Sequence, residues 1–109
     1  MPHIRFRAVK SEYIQELSAL LCKELAQEMG TSEDNFTFES IATQFFSQGA
    51  KTESYPFVEV LMFARPQNIQ DRTAQIITDH LKRLGKYEDV IVVFQHLPKE
   101  QYYENGRHF

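Results

Sequence analysis

The first thirty residues of the chain change from an alternating pattern of hydrophobic and polar positions to a helical one. Residues 2–8 alternate with the period of a β-strand. One side of this strand carries Ile4, Phe6 and Ala8, and the other side carries His3, Arg5 and Arg7. From residue 12 the hydrophobic positions follow one helix face: Ile14, Leu17, Leu21 and Leu25. Ser11 is suited to the N-cap and Gly30 to the C-cap, so the pattern predicts a helix over about 12–29.

The same succession of patterns returns in the second half of the chain. Residues 36–46 have strand composition, residues 48–54 are polar and predict a loop, and residues 57–63 form a strong strand pattern after Pro56. Pro66 fits the first turn of a second helix, which Gly85 closes, and the hydrophobic run 90–94 predicts a short buried strand. The predicted order of elements is β-α-β-β-α-β, and the fold class is α+β.

The two halves resemble copies of one βαβ unit. Pro2 corresponds to Pro56 at an offset of 54 residues, and a Gly-x-x-Glu-Asp motif that begins at Gly30 recurs from Gly85. A unit repeated twice in this way indicates a pseudo-twofold pair of βαβ units and excludes a solenoid array. The boundaries that we predict are 1–109 for a single domain, about 1–46 and 56–97 for the pseudo-repeats, and 98–109 for a C-terminal tail.

These elements predict a four-stranded mixed sheet with two helices on one face. The other face is left bare, and by strand alternation it carries His3, Arg5, Arg7, Phe57, Glu59, Leu61 and Phe63. A bare, partly hydrophobic sheet face is typical of a subunit contact, so we expect a homo-oligomer. Arg5 and Glu59 occupy equivalent positions of the two repeats, and we interpret them as a structural cross-strand ion pair.

Composition and charge exclude several classes of function. The formal net charge of −3 argues against nucleic-acid binding. The longest hydrophobic run has five residues, which predicts no membrane span, and the N-terminus lacks the hydrophobic segment of a secretory signal, so we expect a cytoplasmic protein. Cys22 is the single cysteine, and its position beside the hydrophobic face of the first helix predicts a packing role. The four histidines are not spaced as metal ligands usually are. We therefore predict no metal, and because the sequence has no phosphate-binding glycine loop we also predict no cofactor.

Three features together resemble the tautomerase superfamily, which includes 4-oxalocrotonate tautomerase and macrophage migration inhibitory factor. They are Met1-Pro2 followed by an alternating strand, the duplicated βαβ unit, and a chain length near that of the two-repeat members. The tail at 103–109 is similar to the tails of the longer members, and the nearest resemblance is to an uncharacterised bacterial branch. The resemblance implies a trimeric barrel and keto–enol proton transfer on a small 2-oxo acid. It also implies that Met1 is removed and that the amine of Pro2 is the catalytic base.

The remaining candidate residues would hold the substrate. A carboxylate substrate needs a cationic clamp, and Lys10 and Arg65 end the first strands of the two repeats, although both also fit solvated loop charges. Tyr103 and Asn105 could contribute from the tail. The inhibitory-factor branch has a lysine, a tyrosine and an asparagine at three positions where this chain has Thr31, Ile91 and Val93. These departures put the usual substrates of that branch in doubt.

Three functional alternatives remain open from the sequence. The first is a cofactor-independent tautomerase that acts through Pro2. The second is a non-catalytic oligomer of the same fold that serves as a ligand-binding or interaction scaffold, which the departures at Thr31, Ile91 and Val93 favour. The third is a ferredoxin-like monomer or dimer with a binding role, because β-α-β-β-α-β order occurs in that fold too.

Overall fold

A mixed four-stranded sheet with two long helices forms the centre of the computed structural model, which describes residues 2–109. The elements in chain order are β1 (His3–Arg7), α1 (Ser11–Met29), β2 (Thr37–Ile41), β3 (Phe45–Ser47), β4 (Ala50–Thr52), β5 (Phe57–Met62), α2 (Gln67–Gly85), β6 (Ile91–His96), β7 (Tyr103–Glu104) and β8 (Arg107–His108). The sheet order is β2-β1-β5-β6, and β3-β4 and β7-β8 form two separate hairpins. The predicted fold class is confirmed.

The two βαβ units meet at the antiparallel pair β1 and β5. In this pair His3 lies opposite Leu61 and Arg5 lies opposite Glu59, while β2 runs parallel to β1 and β6 runs parallel to β5. The hydrophobic side of each central strand faces the helices, and its side chains are fully buried: Ile4, Phe6, Val58, Val60 and Met62. Each such side chain contributes about 1.5–3 kcal/mol on burial, so the helix-covered side of the sheet is the core.

The strand predicted over 36–46 is divided in the structure. β2 ends at Ile41, and Phe45 begins a separate hairpin whose second strand, β4, occupies part of the predicted loop. Gln48 and Gly49 turn this hairpin with φ of 53° and 79°. Two positive φ angles are the geometry that lets a two-residue turn match the twist of its strands. The sequence lacked the usual Asn-Gly signal for such a turn, so the hairpin was missed.

The helix ends differ from the prediction by one residue. Lys10, with extended backbone, is the N-cap of α1 where Ser11 was predicted, and Pro66 is the N-cap of α2 instead of its first residue. Gly30 ends α1 with φ 66° as expected. After α2 the residue with left-handed backbone is Lys86, since Gly85 is still helical. Glycine is required at position 85 for a steric reason, because a Cβ there would lie 2.1 Å from the Tyr87 ring.

The last strand of the sheet is an edge strand and not the buried strand that the hydrophobic run predicted. Among residues 2–109, β6 pairs with β5 and with no other strand, and Ile91 and Val93 are 37% and 39% exposed. Val92 and Phe94 pack against the core on the helix side. A continuous hydrophobic run occurs both in strands that are buried on two faces and in strands with one exposed face, so the sequence pattern cannot tell them apart.

The C-terminal tail folds back on its own chain. Asn105 and Gly106 turn the β7-β8 hairpin with φ of 53° and 83°, and the backbone N–H of Phe109 donates to the Tyr102 carbonyl at 3.0 Å. The rings of Tyr102 and Phe109 pack on Phe63, with centroids 5.2 and 5.6 Å away. Among residues 2–109, no helix has the length and hydropathy needed to cross a membrane.

Candidate functional site

Pro2 lies at the amino end of the central strand β1, and its side chain is fully buried. Its carbonyl accepts a hydrogen bond from the Thr37 backbone N–H at 3.2 Å, which continues the β1-β2 pairing to this end of the sheet. Because β1 and β5 are antiparallel, the same end holds Met62, the last residue of β5. The turn after β5, which carries Phe63 and Arg65, therefore leaves the sheet beside Pro2.

Arg65 supplies a cation at this end of the sheet. Its Nη1 donates to the carbonyl of Met29, near the end of α1, at 3.2 Å. Its Nε is buried and has no hydrogen-bond partner among residues 2–109. An unpaired, buried guanidinium N–H is costly, so an acceptor from a ligand or another chain would relieve that cost. Of the two predicted clamp residues, Arg65 is the one that shares an end of the sheet with Pro2.

Lys10 lies at the opposite end of the same strand. It follows β1 and caps α1, and its Nζ lies 5.8 Å from the centroid of the Tyr13 ring. β1 lies between Lys10 and Pro2, and its five residues span about 16 Å at the usual rise per residue. A cleft of about 640 Å³ opens at this end, and its lining includes Lys10, Ser11 and Ser40 but not Pro2. One protomer therefore does not bring Lys10 and Pro2 together.

The tail residues that lie at the same end of the sheet as Pro2 are not the ones that the sequence predicted. Tyr103 is 61% exposed and packs on His108, and Asn105 occupies the hairpin turn. The three rings that pack together are Phe63, Tyr102 and Phe109, which we call the aromatic cluster. The cluster could be anticipated from Phe63 at the end of a strand pattern and two aromatic residues flanking an Asn-Gly turn. The Nζ of Lys99 lies 5.8 Å from the Phe63 centroid.

A polar network crosses the bare face of the sheet. His3 bonds Thr37 Oγ1 through Nδ1 at 2.7 Å and Glu39 Oε1 through Nε2 at 2.8 Å, and Arg5 Nε donates to the same Glu39 oxygen at 3.1 Å. The hydrogen bond from His3, and after it the Arg5 guanidinium, hold the pKa of Glu39 below its ordinary value against the opposing effect of desolvation. Glu39 was not singled out from the sequence, although it alternates with Thr37 as β2 requires.

The predicted Arg5–Glu59 ion pair is corrected by this network. The two residues are cross-strand partners, but Arg5 bonds Glu39 on the other neighbouring strand, and Glu59 accepts from Arg7. Each of the two guanidinium groups therefore has its own carboxylate: Arg5 pairs with Glu39, and Arg7 pairs with Glu59. The charges of the bare face are thus paired within one protomer.

The three positions that depart from the inhibitory-factor branch offer little polar chemistry. Ile91 and Val93 present hydrocarbon on the bare side of β6, and the Thr31 hydroxyl already accepts a hydrogen bond from Asn35 Nδ2 at 2.7 Å. His80, near the hydrophobic side of α2, bonds Glu24 Oε2 at 2.6 Å. Cys22 packs against the core. No group of three metal-ligating side chains occurs within residues 2–109.

Comparisons with known proteins place this geometry in context. A family model described as "Domain of unknown function (DUF1904)" matches residues 1–108. A crystal structure of a DUF1904 domain from Sebaldella termitidis is 37% identical, covers 100% of both chains and has a TM-score of 0.92. A search of curated proteins gave no match.

More distant structures share the fold. The macrophage migration inhibitory factor-like protein of Entamoeba histolytica is 13% identical, with 99% of this chain and 98% of that chain covered and a TM-score of 0.78. A fused 4-OT protein described as an asymmetric trimer is 10% identical, with 97% and 94% covered and a TM-score of 0.83. These likenesses confirm the expected tautomerase-type fold.

Proposed function

The chain belongs to the DUF1904 family, and from that membership and its tautomerase-type fold we propose that it is a cofactor-independent tautomerase. It would transfer a proton between the keto and enol forms of a small 2-oxo acid, with Pro2 as the base after removal of Met1. The observation that carries the proposal is the buried Pro2 at the amino end of β1, beside a turn whose Arg65 has a buried Nε without a hydrogen-bond partner among residues 2–109. Pro2 supplies a base, and Arg65 supplies a cation, at one end of the sheet.

The setting of Pro2 suits the chemistry of a weak amine base. A secondary amine is protonated at neutral pH unless its pKa falls, and both burial and a nearby positive charge disfavour the protonated form. The free amine would take a proton from the carbon next to the carbonyl and leave an enolate, and the resulting ammonium would return that proton to the enolate oxygen. This step needs no metal or organic cofactor.

Arg65 is the proposed site for the substrate carboxylate. A guanidinium offers a planar fork of donors that matches a carboxylate, and Nη1 of Arg65 is held in place by the Met29 carbonyl. Lys10, Tyr103 and Asn105 stay predictions. Since Lys10 lies at the far end of β1, it could reach a Pro2 site only on another protomer.

Self-association follows from the bare face. The charges there are already paired within a protomer, and hydrophobic side chains of β5 and β6 lie beside them: Phe57, Leu61, Ile91 and Val93. We propose a homotrimer, supported by the trimer reported for a protein of the same fold. The expected cytoplasmic location and bacterial origin stay predictions.

The test is the ketonisation of phenylenolpyruvate, together with the intact mass of the protein. A mass one methionine residue lower than the full chain shows that Pro2 has a free amine. We then expect Pro2→Ala to lower kcat by about 10²–10⁴-fold, the usual contribution of a general base. Full activity in Pro2→Ala would refute the mechanism in which Pro2 is the base.

Arginine variants test the carboxylate site separately. Arg65→Ala should raise KM at least about tenfold, because a charge-assisted, bidentate contact is lost. Arg83, exposed near the end of α2, is the matched control, and Arg83→Ala should leave KM unchanged. Equal effects of the two substitutions would contradict a specific role for Arg65.

The non-catalytic scaffold is the second candidate function. It is favoured by the hydrocarbon side chains of Ile91 and Val93 and by the occupied hydroxyl of Thr31. If Met1 is retained in full, the Pro2 nitrogen is an amide and offers no basic lone pair. That result would replace the tautomerase proposal with the scaffold, and ligand screening would then replace the enol assay.

A further inference from the structure

The end of the sheet opposite Pro2 is built like the Pro2 end. The carbonyl of Pro2 accepts a hydrogen bond from the Thr37 N–H at 3.2 Å, and the carbonyl of Pro56 accepts one from the Ile91 N–H at 3.0 Å. Both prolines are buried, and each precedes one strand of the antiparallel β1-β5 pair. The two ends therefore share one arrangement of proline, central strand and parallel partner strand.

The chemistry of the two ends differs because the nitrogen of Pro56 is an amide within the chain. An amide nitrogen has no basic lone pair, so the Pro56 end cannot carry out the proton transfer proposed for Pro2. The cations differ too: Arg65 follows β5 at the Pro2 end, and Lys10 follows β1 at the Pro56 end. The Pro56 end is therefore suited to binding a ligand without this reaction.

A cleft of about 640 Å³ opens at the Pro56 end, and we call it the Lys10 cleft. Its lining comes from residues 8–11 and 40–43 and from Ser54, and its volume is usual for a small-molecule site. The lining residues with hydroxyl groups are Ser11, Ser40, Thr43 and Ser54. Within residues 2–109, Lys10 is the one charged residue of the lining, so the Lys10 cleft has a cation and no carboxylate.

The Lys10 ammonium is available to a ligand. Lys10 is exposed and forms no ion pair within residues 2–109, and its Nζ lies 5.8 Å from the centroid of the Tyr13 ring. Ser11 Oγ and Ser40 Oγ lie 3.3 Å apart and share one hydrogen bond. Because each hydroxyl has one proton and their bond uses only one of the two, the other proton is free for a ligand.

These donors suit a phosphate group better than a carboxylate. A guanidinium matches a planar carboxylate through two parallel hydrogen bonds, whereas an ammonium is a compact point charge on a flexible stem. The oxygens of a tetrahedral phosphate point in different directions, so they can accept from an ammonium and from separate hydroxyls at once. Val9 and Ile41 add hydrocarbon to the lining, against which the carbon chain of a small ester can pack.

We propose that the Lys10 cleft binds a small phosphate monoester, with Lys10 and the hydroxyls of Ser11 and Ser40 as donors to the phosphate. The site is separate from Pro2, because the five residues of β1 lie between them and span about 16 Å. Binding makes and breaks no covalent bond. The inference depends neither on the proposed tautomerase reaction nor on self-association.

The test is an NMR titration of the full chain with glycerol phosphate, followed through the backbone amide shifts. We expect saturable shifts at residues 8–11 and 40–43, no such shifts around Arg65, and clearly weaker binding of glycerate, which has a carboxylate in place of the phosphate. Shifts that centre on Arg65, or no saturable shift at all, would overturn the site. Equal affinity for glycerate would overturn the assignment to a phosphate.

Lysine variants test the cation of the Lys10 cleft. Lys10→Ala should weaken the binding of glycerol phosphate at least about tenfold, because a charge-assisted contact is lost. Lys23 is the matched control: it is exposed on the same helix and lies outside the cleft, so Lys23→Ala should leave the affinity unchanged. Equal losses in both variants would show general attraction to positive charge and overturn the proposal. Lys10 caps α1 through its backbone alone, so circular dichroism should show a folded variant.

The enol assay separates this site from the proposed catalysis. If Lys10 served a Pro2 site on another protomer, Lys10→Ala would raise KM for phenylenolpyruvate, and that result would overturn the separate site. We expect an unchanged KM. Binding of glycerol phosphate by a protein without tautomerase activity would refute the proposed reaction and support the Lys10 cleft. Activity that depends on Pro2, without binding of glycerol phosphate, would overturn the Lys10 cleft alone.

Discussion

Replacing Gly85 by alanine should destabilise the protein, although the same change in an ordinary helix is stabilising. Gly85 is the last residue of α2 and has no positive φ that would demand glycine. Helix propensity alone therefore predicts a gain of up to about 1 kcal/mol. The structure predicts the opposite sign, because an alanine Cβ would lie 2.1 Å from Cε2 and 2.5 Å from Cζ of the Tyr87 ring.

The size of the effect follows from what the Tyr87 ring would lose by moving. The ring is partly buried against the core, and that burial, reinforced by the neighbouring Tyr13, raises the pKa of its phenol above 10.0, against a backbone hydrogen bond with Lys10. Overpacking costs about 1–3 kcal/mol and loss of a hydrogen bond about 1 kcal/mol. Set against a propensity gain of about 1 kcal/mol, the net loss is about 1–3 kcal/mol, which lowers Tm by roughly 4–12 °C at about 4 °C per kcal/mol for a chain of this length.

Thermal unfolding followed by circular dichroism at one fixed protein concentration measures this change. The control is the same substitution in a Tyr87→Ala background, where the obstructing ring is absent. There Gly85→Ala should raise Tm by a few degrees, because only the propensity gain remains. A higher Tm for Gly85→Ala in the wild-type background would refute the reasoning, since it would mean that the ring moves aside at little cost.

Three further predictions concern the core and two titrating side chains. Leu21→Ala should cost about 2–5 kcal/mol in urea unfolding because Leu21 is fully buried, whereas Leu20→Ala should cost under about 1 kcal/mol; equal costs would contradict the assigned face of α1. The pKa of Glu39 is lowered from 4.5, so its contribution to stability is present above that pH and is lost as the pH falls through the lowered value. Glu39→Gln should therefore flatten the acid limb of Tm against pH, and an unchanged limb would count against the His3–Glu39 contact. The raised pKa of Tyr87 means that stability present below pH 10.0 falls as the pH rises further. Tyr87→Phe should remove that alkaline loss, and persistence of the loss would assign it to another group.

Much of the fold could be predicted because it depends on local patterns. The period-two alternation at His3–Arg7 and the helical spacing of α1 each bury one face, and the structure buries those faces. The β3-β4 hairpin could not be predicted, because Gln48 adopts a positive φ that its residue type does not signal. The repeat and domain boundaries stay predictions.

The candidate site was less predictable than the fold. Lys10 and Arg65 were both predicted to bind the substrate carboxylate, because both are cations at equivalent positions of the two repeats. Of the two, Arg65 is the one that lies at the same end of the sheet as Pro2. Arg5 and Glu59 are cross-strand neighbours, as their equivalent repeat positions predicted, but the predicted ion pair between them is wrong. Arg5 bonds Glu39 instead, because a central strand offers partners on both sides. The roles of the site residues stay predictions.

The sequence by itself determined which side chains face the core, because hydrophobic periodicity fixes burial through local geometry alone. It also predicted the β-α-β-β-α-β order of the main elements, and its resemblance to the tautomerase superfamily predicted the fold. Only the tertiary structure decided that β6 is an open edge, that Tyr102 and Phe109 pack on Phe63, and which carboxylate each arginine binds. The physical reason is that such contacts join residues far apart in the chain. Their partners are chosen by strand order, register and distance, which are properties of the assembled sheet and not of any one segment.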